Sequence, residues 1–353
     1  MHYPREAIAA AVSELAQSGI YVGTSSWKYE GWLGLLYTPE RYQTRGKISR
    51  AKFNANCLAE YAEVFKTVCL DAGFYQFPTA KIMDGLMTQV PSDFKFTLKV
   101  TEDITVRRFP NLPRHGRRAG ATNDRFLDAD LFIASFLGPL EPHRARIGTL
   151  VFEFRFKAGD WSRGRQFVEA LDVFLGRLPK GWDYSVEIRN ASFLQPEYFA
   201  VLRRHGVAHA FNSWSRMPPV AEQMQLADSF TADFATARFL LKPGRTYETA
   251  VEKFKPYSEV KEPFPDARLA LIKLLTLAPR PKRQDRRYLY VNNRLEGCSL
   301  WTIYAALSGL LSAEAKARLK FPHAEQLAQV RAPKRGQLEL VPDDSTARSG
   351  GLG

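Results

Sequence analysis

The sequence predicts a TIM-like (β/α)8 barrel, an α/β fold in which parallel strands alternate with helices. Three observations predict it. Eight strand-like runs recur along the 353 residues, amphipathic helical stretches lie between most of them, and no G-x-G-x-x-G or Walker-type glycine loop marks an open nucleotide-binding sheet.

Residues 1–19 read as an N-terminal helix packed on the barrel. The apolar run Ile8-Ala9-Ala10-Ala11-Val12 is short and lies between Glu6 and Glu14, which suits an amphipathic helix rather than a signal peptide. Residues 20–331 are expected to form the barrel, with long loops after the first, third and seventh strands. Strand one is Ile20–Thr24, followed by a loop rich in rings: Trp27, Tyr29, Trp32, Tyr37 and Tyr42. A helix over Lys52–Val64 aligns Phe53, Cys57, Leu58 and Tyr61 on one stripe. Strand two is Lys66–Asp71, with Phe74 and Tyr75 just after it, and strand three is Phe94–Lys99. The loop that follows carries Arg107, Arg108, Arg114, His115, Arg117 and Arg118. Helices are expected at Arg125–Leu137, Gln166–Leu178, Pro196–His205 and Ala267–Leu277. Strands four to eight are Thr149–Phe154, Tyr184–Ile188, Val207–Phe211, Thr236–Leu241 and Arg287–Asn292. Residues 332–353 are polar, with Pro, Gly and Ser, and are expected to form a disordered tail.

Composition bounds the function class. Hydrophobic content of 45% and charged content of 25% are those of a soluble globular protein. No apolar run approaches the ~20 residues of a membrane span. Cys57, Cys69 and Cys298 show no C-x-x-C spacing, which fits a reducing compartment, and a cytoplasmic location is expected. The net charge of +13 favours anionic partners, although many soluble proteins are simply basic.

The alternation of side chains along a strand assigns the faces. Outward positions meet helices and should be apolar. Strand four then turns Leu150, Phe152 and Phe154 outward and Glu153 and Arg155 inward. Strand five turns Val186 and Ile188 outward and Glu187 and Arg189 inward. The same reasoning sends Asp71, Lys99, Arg238 and Asn292 inward. Strand six, Val207-Ala208-His209-Ala210-Phe211, is ambiguous. Barrels of this class build their sites at the C-terminal strand ends, where these charged residues fall.

Several motifs carry a family resemblance. Val22-Gly23-Thr24-Ser25-Ser26-Trp27-Lys28-Tyr29-Glu30-Gly31-Trp32, Tyr37-Thr38-Pro39, Tyr61-Ala62 with Phe65-Lys66-Thr67-Val68, Phe74-Tyr75-Gln76-Phe77-Pro78, Val186-Glu187-Ile188-Arg189 with Ser192-Phe193, and Asn292-Asn293 run in order from about Tyr21 to Ala306. Together they resemble the YecE-like proteins, domain of unknown function seventy-two. The resemblance implies a TIM-like barrel and no settled activity. This chain departs from the family pattern in two places. Cys69 and Asp71 stand where the family usually has Glu and Asn, and Glu153 and Arg155 stand where it usually has Gln and Pro.

The inward set suggests a reaction on a phosphate- or sugar-bearing ligand, as a hydrolase or lyase. Glu187, Glu153 and Asp71 are the acid/base candidates. Arg189, Arg155, Arg238 and Lys99 would hold an anion, and Asn292 would orient it. Tyr29, Tyr75 and Trp214 are candidates to stack on a ligand, whereas Trp27 and Trp32 read better as a plug over the barrel. The competing reading of the charges is a ring of structural ion pairs. The six histidines form no metal-ligand pattern; an all-carboxylate magnesium or manganese site from Asp71, Glu153 and Glu187 is the alternative. Two other functions are a nucleic-acid binder using loop 107–118 and an inactive barrel serving as a protein partner. The sequence indicates neither a cofactor nor an oligomeric state.

Overall fold

Eight parallel strands close into a barrel in chain order. They are β1 Ile20–Thr24, β2 Thr67–Leu70, β3 Lys95–Lys99, β4 Ile147–Phe154, β5 Tyr184–Ile188, β6 Ala208–Ser213, β7 Phe234–Phe239 and β8 Arg286–Val291. The computed structural model describes residues 3–71, 76–156, 164–278 and 286–308. Tyr75 and the stretch 332–353 lie outside the described residues.

The barrel closes where β1 meets β8 and β2. β1 pairs with β8 along its length, from Ile20↔Arg287 to Thr24↔Val291, and touches β2 at Thr24↔Val68. Gly23 makes this seam possible. A Cβ there would stand 2.2 Å from the Thr67 carbonyl oxygen. Gly23→Ala is therefore expected to destabilise the fold by the ~1–3 kcal/mol or more that overpacking costs, read as a lower denaturation midpoint. An unchanged midpoint would show that the seam has room to relax.

Inside the barrel, hydroxyls replace part of the usual aliphatic filling. The Tyr290 hydroxyl donates to Thr97 Oγ1 at 2.6 Å and lies 2.8 Å from Thr67 Oγ1. Ser185 Oγ lies 2.8 Å from Thr149 Oγ1 and 2.7 Å from Thr236 Oγ1. These buried hydroxyls thus find partners on other strands, as buried polar groups require. The outer face is aromatic: Phe152 packs edge-on against Phe174 at 5.2 Å, and Phe154 against Phe167 at 5.1 Å.

Helices Arg5–Gln17, Arg50–Val64, Ala80–Met87, Gly164–Gly176, Pro196–His205, Pro265–Thr276 and Ser299–Ser308 surround the strands. The first long loop is tied down by one buried carboxylate. Glu60 accepts from Arg5 at 3.1 Å, Thr38 N at 2.9 Å, Thr38 Oγ1 at 2.6 Å and the Tyr42 hydroxyl at 2.6 Å. Trp27 and Trp32, residues of this loop, are themselves buried.

Most boundaries shift by one or two residues, and three elements differ in ways the local bonding explains. The helix expected at 125–137 begins at Ala129, because Leu127 adopts φ 57° and Asp128 caps the turn by accepting from Leu131 N at 2.9 Å. It continues as a π-turn over Phe132–Leu137. β7 starts two residues earlier than expected and ends at Phe239, since Ser213 already receives Leu240 N on its hydroxyl and Leu241 N on its carbonyl. β6 extends to Ser213 and resolves its ambiguity: His209 faces outward, with Nδ1 3.1 Å from the Tyr198 hydroxyl. Burial lowers the pKa of His209 to about 4, so the ring is neutral at ordinary pH. Among the described residues no helix is long and apolar enough to cross a membrane.

Candidate functional site at the C-terminal mouth

The two Glu-x-Arg segments lie side by side. β4 and β5 pair in the register Phe152↔Val186, Glu153↔Glu187 and Phe154↔Ile188. Their apolar residues turn out to the helices, so both carboxylates turn in and are almost fully buried. An ionised carboxylate in such a place requires compensating charge.

That charge comes from four strands. Lys99 Nζ, at the end of β3, donates to Glu153 Oε2 at 2.7 Å. Arg155 Nε donates to Glu153 Oε1 at 2.6 Å. Arg189 bridges both carboxylates, with Nε 2.6 Å from Glu187 Oε1 and Nη2 2.7 Å from Glu153 Oε2. Arg238 reaches across the barrel from β7. Its Nη1 donates to Glu187 and lies 3.5 Å from Glu153 Oε2, and its Nη2 donates to Asp71 Oδ1 beyond β2 at 2.9 Å.

Electrostatics follows from this geometry. Burial alone would raise the pKa of Glu153, but Arg189, Lys99, Arg155 and Arg238 override it and hold the carboxyl well below its usual range. Glu187 is lowered in the same way, burial being outweighed by Arg189 and Arg238. Burial lowers the pKa of Lys99, with Glu153 opposing the shift. Both glutamates are therefore anionic at neutral pH. Neither is a general acid in this state, since a proton donor of the glycosidase type needs a raised pKa.

The cluster opens toward solvent on one side. The Arg155 side chain is 50% exposed and that of Asp71 36%. Trp214, partly buried, lies over the Arg189 guanidinium at 3.7 Å from ring centroid to guanidinium carbon, with Arg155 at 5.7 Å. This cation–π contact fixes the plane of Arg189. Tyr29 packs into the same apolar group as Trp214, Phe254 and Tyr257, with its ring 4.8 Å from Trp32. Burial pushes its hydroxyl up to about 12. Asn292 is buried at the end of β8, with Oδ1 accepting from Arg294 N at 2.9 Å. The structure thus brings Asp71, Lys99, Glu153, Arg155, Glu187, Arg189, Arg238 and Trp214 into one cluster.

The other basic segments are largely engaged. Arg114 lies 3.4 Å from Glu102, and Arg118 pairs with Asp103. Arg286 pairs with Asp183 at 2.8 Å, and buried Arg287 caps a helix end by donating to the carbonyls of Leu274 and Leu275 at 3.0 and 3.1 Å. Guanidiniums stand between the three mouth carboxylates. Among the described residues no group of three or more His, Cys, Asp or Glu side chains is arranged to hold a metal ion. A groove of about 560 Å³ between helices Gly164–Gly176 and Pro196–His205 lies outside the barrel, away from this cluster.

Two buried mouth residues escape the sequence reading: Ser25 after β1 and Asn212 on β6. The signal for Ser25 was its parity with Tyr21 and Gly23. Asn212 lay just past the end assigned to an ambiguous strand.

Comparison with known proteins agrees with the fold. A solved DUF72 family protein from Enterococcus faecalis V583 is similar at 15% identity and a TM-score of 0.55, over 83% of this chain and 96% of that one. A DUF72 family protein from Thermotoga maritima MSB8 is similar at 21% identity and a TM-score of 0.51, over 82% and 96%. No curated protein matches the chain. The family model described as protein of unknown function DUF72 matches residues 21–326, so the chain belongs to the DUF72 family.

Proposed function

We propose that the C-terminal mouth binds a small anionic, phosphate-bearing ligand, and that the protein acts on it as a hydrolase or lyase. One observation carries this reading. Four cationic side chains, Lys99, Arg155, Arg189 and Arg238, converge with three carboxylates, Asp71, Glu153 and Glu187, at the strand ends where this fold builds its sites. The Arg155 side chain is half exposed at this mouth, where a ligand would enter.

Binding and chemistry are linked in this scheme. A phosphate that engages Arg155 and Arg189 draws positive charge away from Glu153 and Glu187. Their proton affinity rises, and an ionised carboxylate becomes a better base toward water or a substrate carbon acid. The buried, unpaired cysteines suit a reducing compartment, and a cytoplasmic location belongs to the proposal. Nucleic-acid binding through loop 107–118 has less support, because Arg114 and Arg118 face Glu102 and Asp103.

Calorimetric titration with inorganic phosphate tests the reading. The native protein is expected to bind, more weakly as salt rises. Arg155→Ala, a half-exposed position whose loss the fold should tolerate, is expected to weaken binding by about 10–100-fold, the worth of one charged hydrogen bond. Absence of phosphate binding by the native protein would refute it.

A further inference from the structure

The mouth has two unlike halves. On β2 to β5 the carboxylates are matched by cations. On β6, β7, β8 and β1, four buried polar atoms have no partner among the described residues: Asn212 Oδ1, Arg238 Nε, Asn292 Nδ2 and Ser25 Oγ. Their residues are 0%, 1%, 2% and 1% exposed. Buried polar groups without partners are rare in folded proteins and call for an occupant.

All four lie on the inward face. Asn292 shares the parity of Tyr290, whose hydroxyl bonds Thr97 inside the barrel. Ser25 shares that of Tyr21, which stacks on inward Tyr288 at 5.6 Å, and the ladder continues through Ser25 N to Val291 O at 3.1 Å. Asn212 is the register partner of Arg238. The amide orientations are set by their other bonds. Asn212 Nδ2 donates to Ile188 O at 3.0 Å, which leaves Oδ1 as the open atom, and Asn292 Oδ1 accepts from Arg294 N, which leaves Nδ2.

The open atoms comprise two donors, one acceptor and one hydroxyl able to do either. The dianionic phosphoryl group of a phosphate ester, the form that prevails above its second pKa of about 6, offers only acceptors and would leave Asn212 Oδ1 unmatched. A hydroxyl group both donates and accepts, and adjacent hydroxyls match the whole set. We propose that this neutral half binds the hydroxyls of a polyol or sugar, so that the ligand is a phosphorylated polyol or sugar. Its anionic end lies toward Arg155 and Arg189, and its hydroxyls lie toward Ser25, Asn212 and Asn292. The inference rests on the phosphate reading above and adds the substrate class.

The test is calorimetric titration of the native protein, Ser25→Ala and Asn292→Ala with inorganic phosphate, glycerol 3-phosphate, ribose 5-phosphate and glucose 6-phosphate. At least one organic phosphate is expected to bind about tenfold or more tightly than phosphate. Each variant is expected to lose most of that gain, and Ser25→Ala is expected to bind phosphate as the native protein does. Ser25→Ala removes a single oxygen, so it carries the test if Asn292→Ala does not fold. If phosphate binds and no organic phosphate exceeds it, or if Ser25→Ala weakens phosphate equally, the neutral half holds only water and the inference falls while the phosphate reading stands. If phosphate fails to bind, both fall.

Discussion

Arg238→Met is expected to destabilise the barrel by about 3–5 kcal/mol, the cost of leaving a buried charge without its partner. Arg238 is the only side chain among the described residues that joins Glu187, Glu153 and Asp71. Without it, Glu187 keeps Arg189 alone, and Asp71 loses its link across the barrel. At about 2–4 °C per kcal/mol for a domain of this size, the melting temperature should fall by roughly 10 °C. Arg155→Met serves as the control. Its side chain is half exposed, and Glu153 keeps Lys99, Arg189 and Arg238 without it, so its loss should cost less than that of Arg238.

The same variant should shift the acid limb of stability. Glu153 and Glu187 have folded-state pKa values below their unfolded ones. Their contribution is complete above the unfolded value of about 4.3 and is lost as pH falls through the folded values. Removing Arg238 raises the folded pKa of Glu187, so the loss begins at a higher pH. Denaturation midpoints between about pH 3 and 7 check this. Parallel profiles for the two proteins would show that Arg238 does not hold the carboxylates ionised.

Glu153→Gln is expected to give a protein that phosphate rescues. Glu153 contacts four cations: Lys99, Arg155, Arg189 and Arg238. Its neutralisation removes the carboxylate charge that these cations share and costs about 3–5 kcal/mol, as uncompensated buried cations do. Lys99, whose pKa burial already lowers, is the first to shed its proton. A phosphate anion at the mouth replaces the missing charge. At a hundredfold excess over its dissociation constant it should return about 2.7 kcal/mol. The melting shift with phosphate, against chloride at equal ionic strength, should therefore be larger in Glu153→Gln than in the native protein. An equal shift, or none, would show that the anion does not compete for the cations that Glu153 holds.

Strand periodicity made much of this structure legible. The contrast between Phe152, Phe154 and Glu153, and between Val186, Ile188 and Glu187, carries face, depth and register at once. Where the contrast weakens, so does the reading. On β6, His209 takes an outward place among Tyr198 and Phe199 that an apolar residue usually fills, so Asn212 could not be assigned. On β1, Gly23 has no side chain to mark a face, and Ser25 went unremarked beyond it. The link from Arg238 to Asp71 joins residues 167 positions apart, and local pattern carries no trace of such a reach. The pairing of Arg114 and Arg118 with Glu102 and Asp103 likewise depends on how a loop folds back, and it lowers the charge that the sequence alone assigns to that face.

The most direct measurement is a crystal structure of the native protein grown in phosphate. The predicted result is a tetrahedral anion at the mouth, within hydrogen-bonding distance of Arg155 and Arg189, with Glu153 drawn away from at least one of its cations. Closed Glu153 and Glu187 pairs in phosphate-saturated crystals, with no anion between Arg155, Arg189 and Arg238, would contradict it and leave a ring of structural ion pairs.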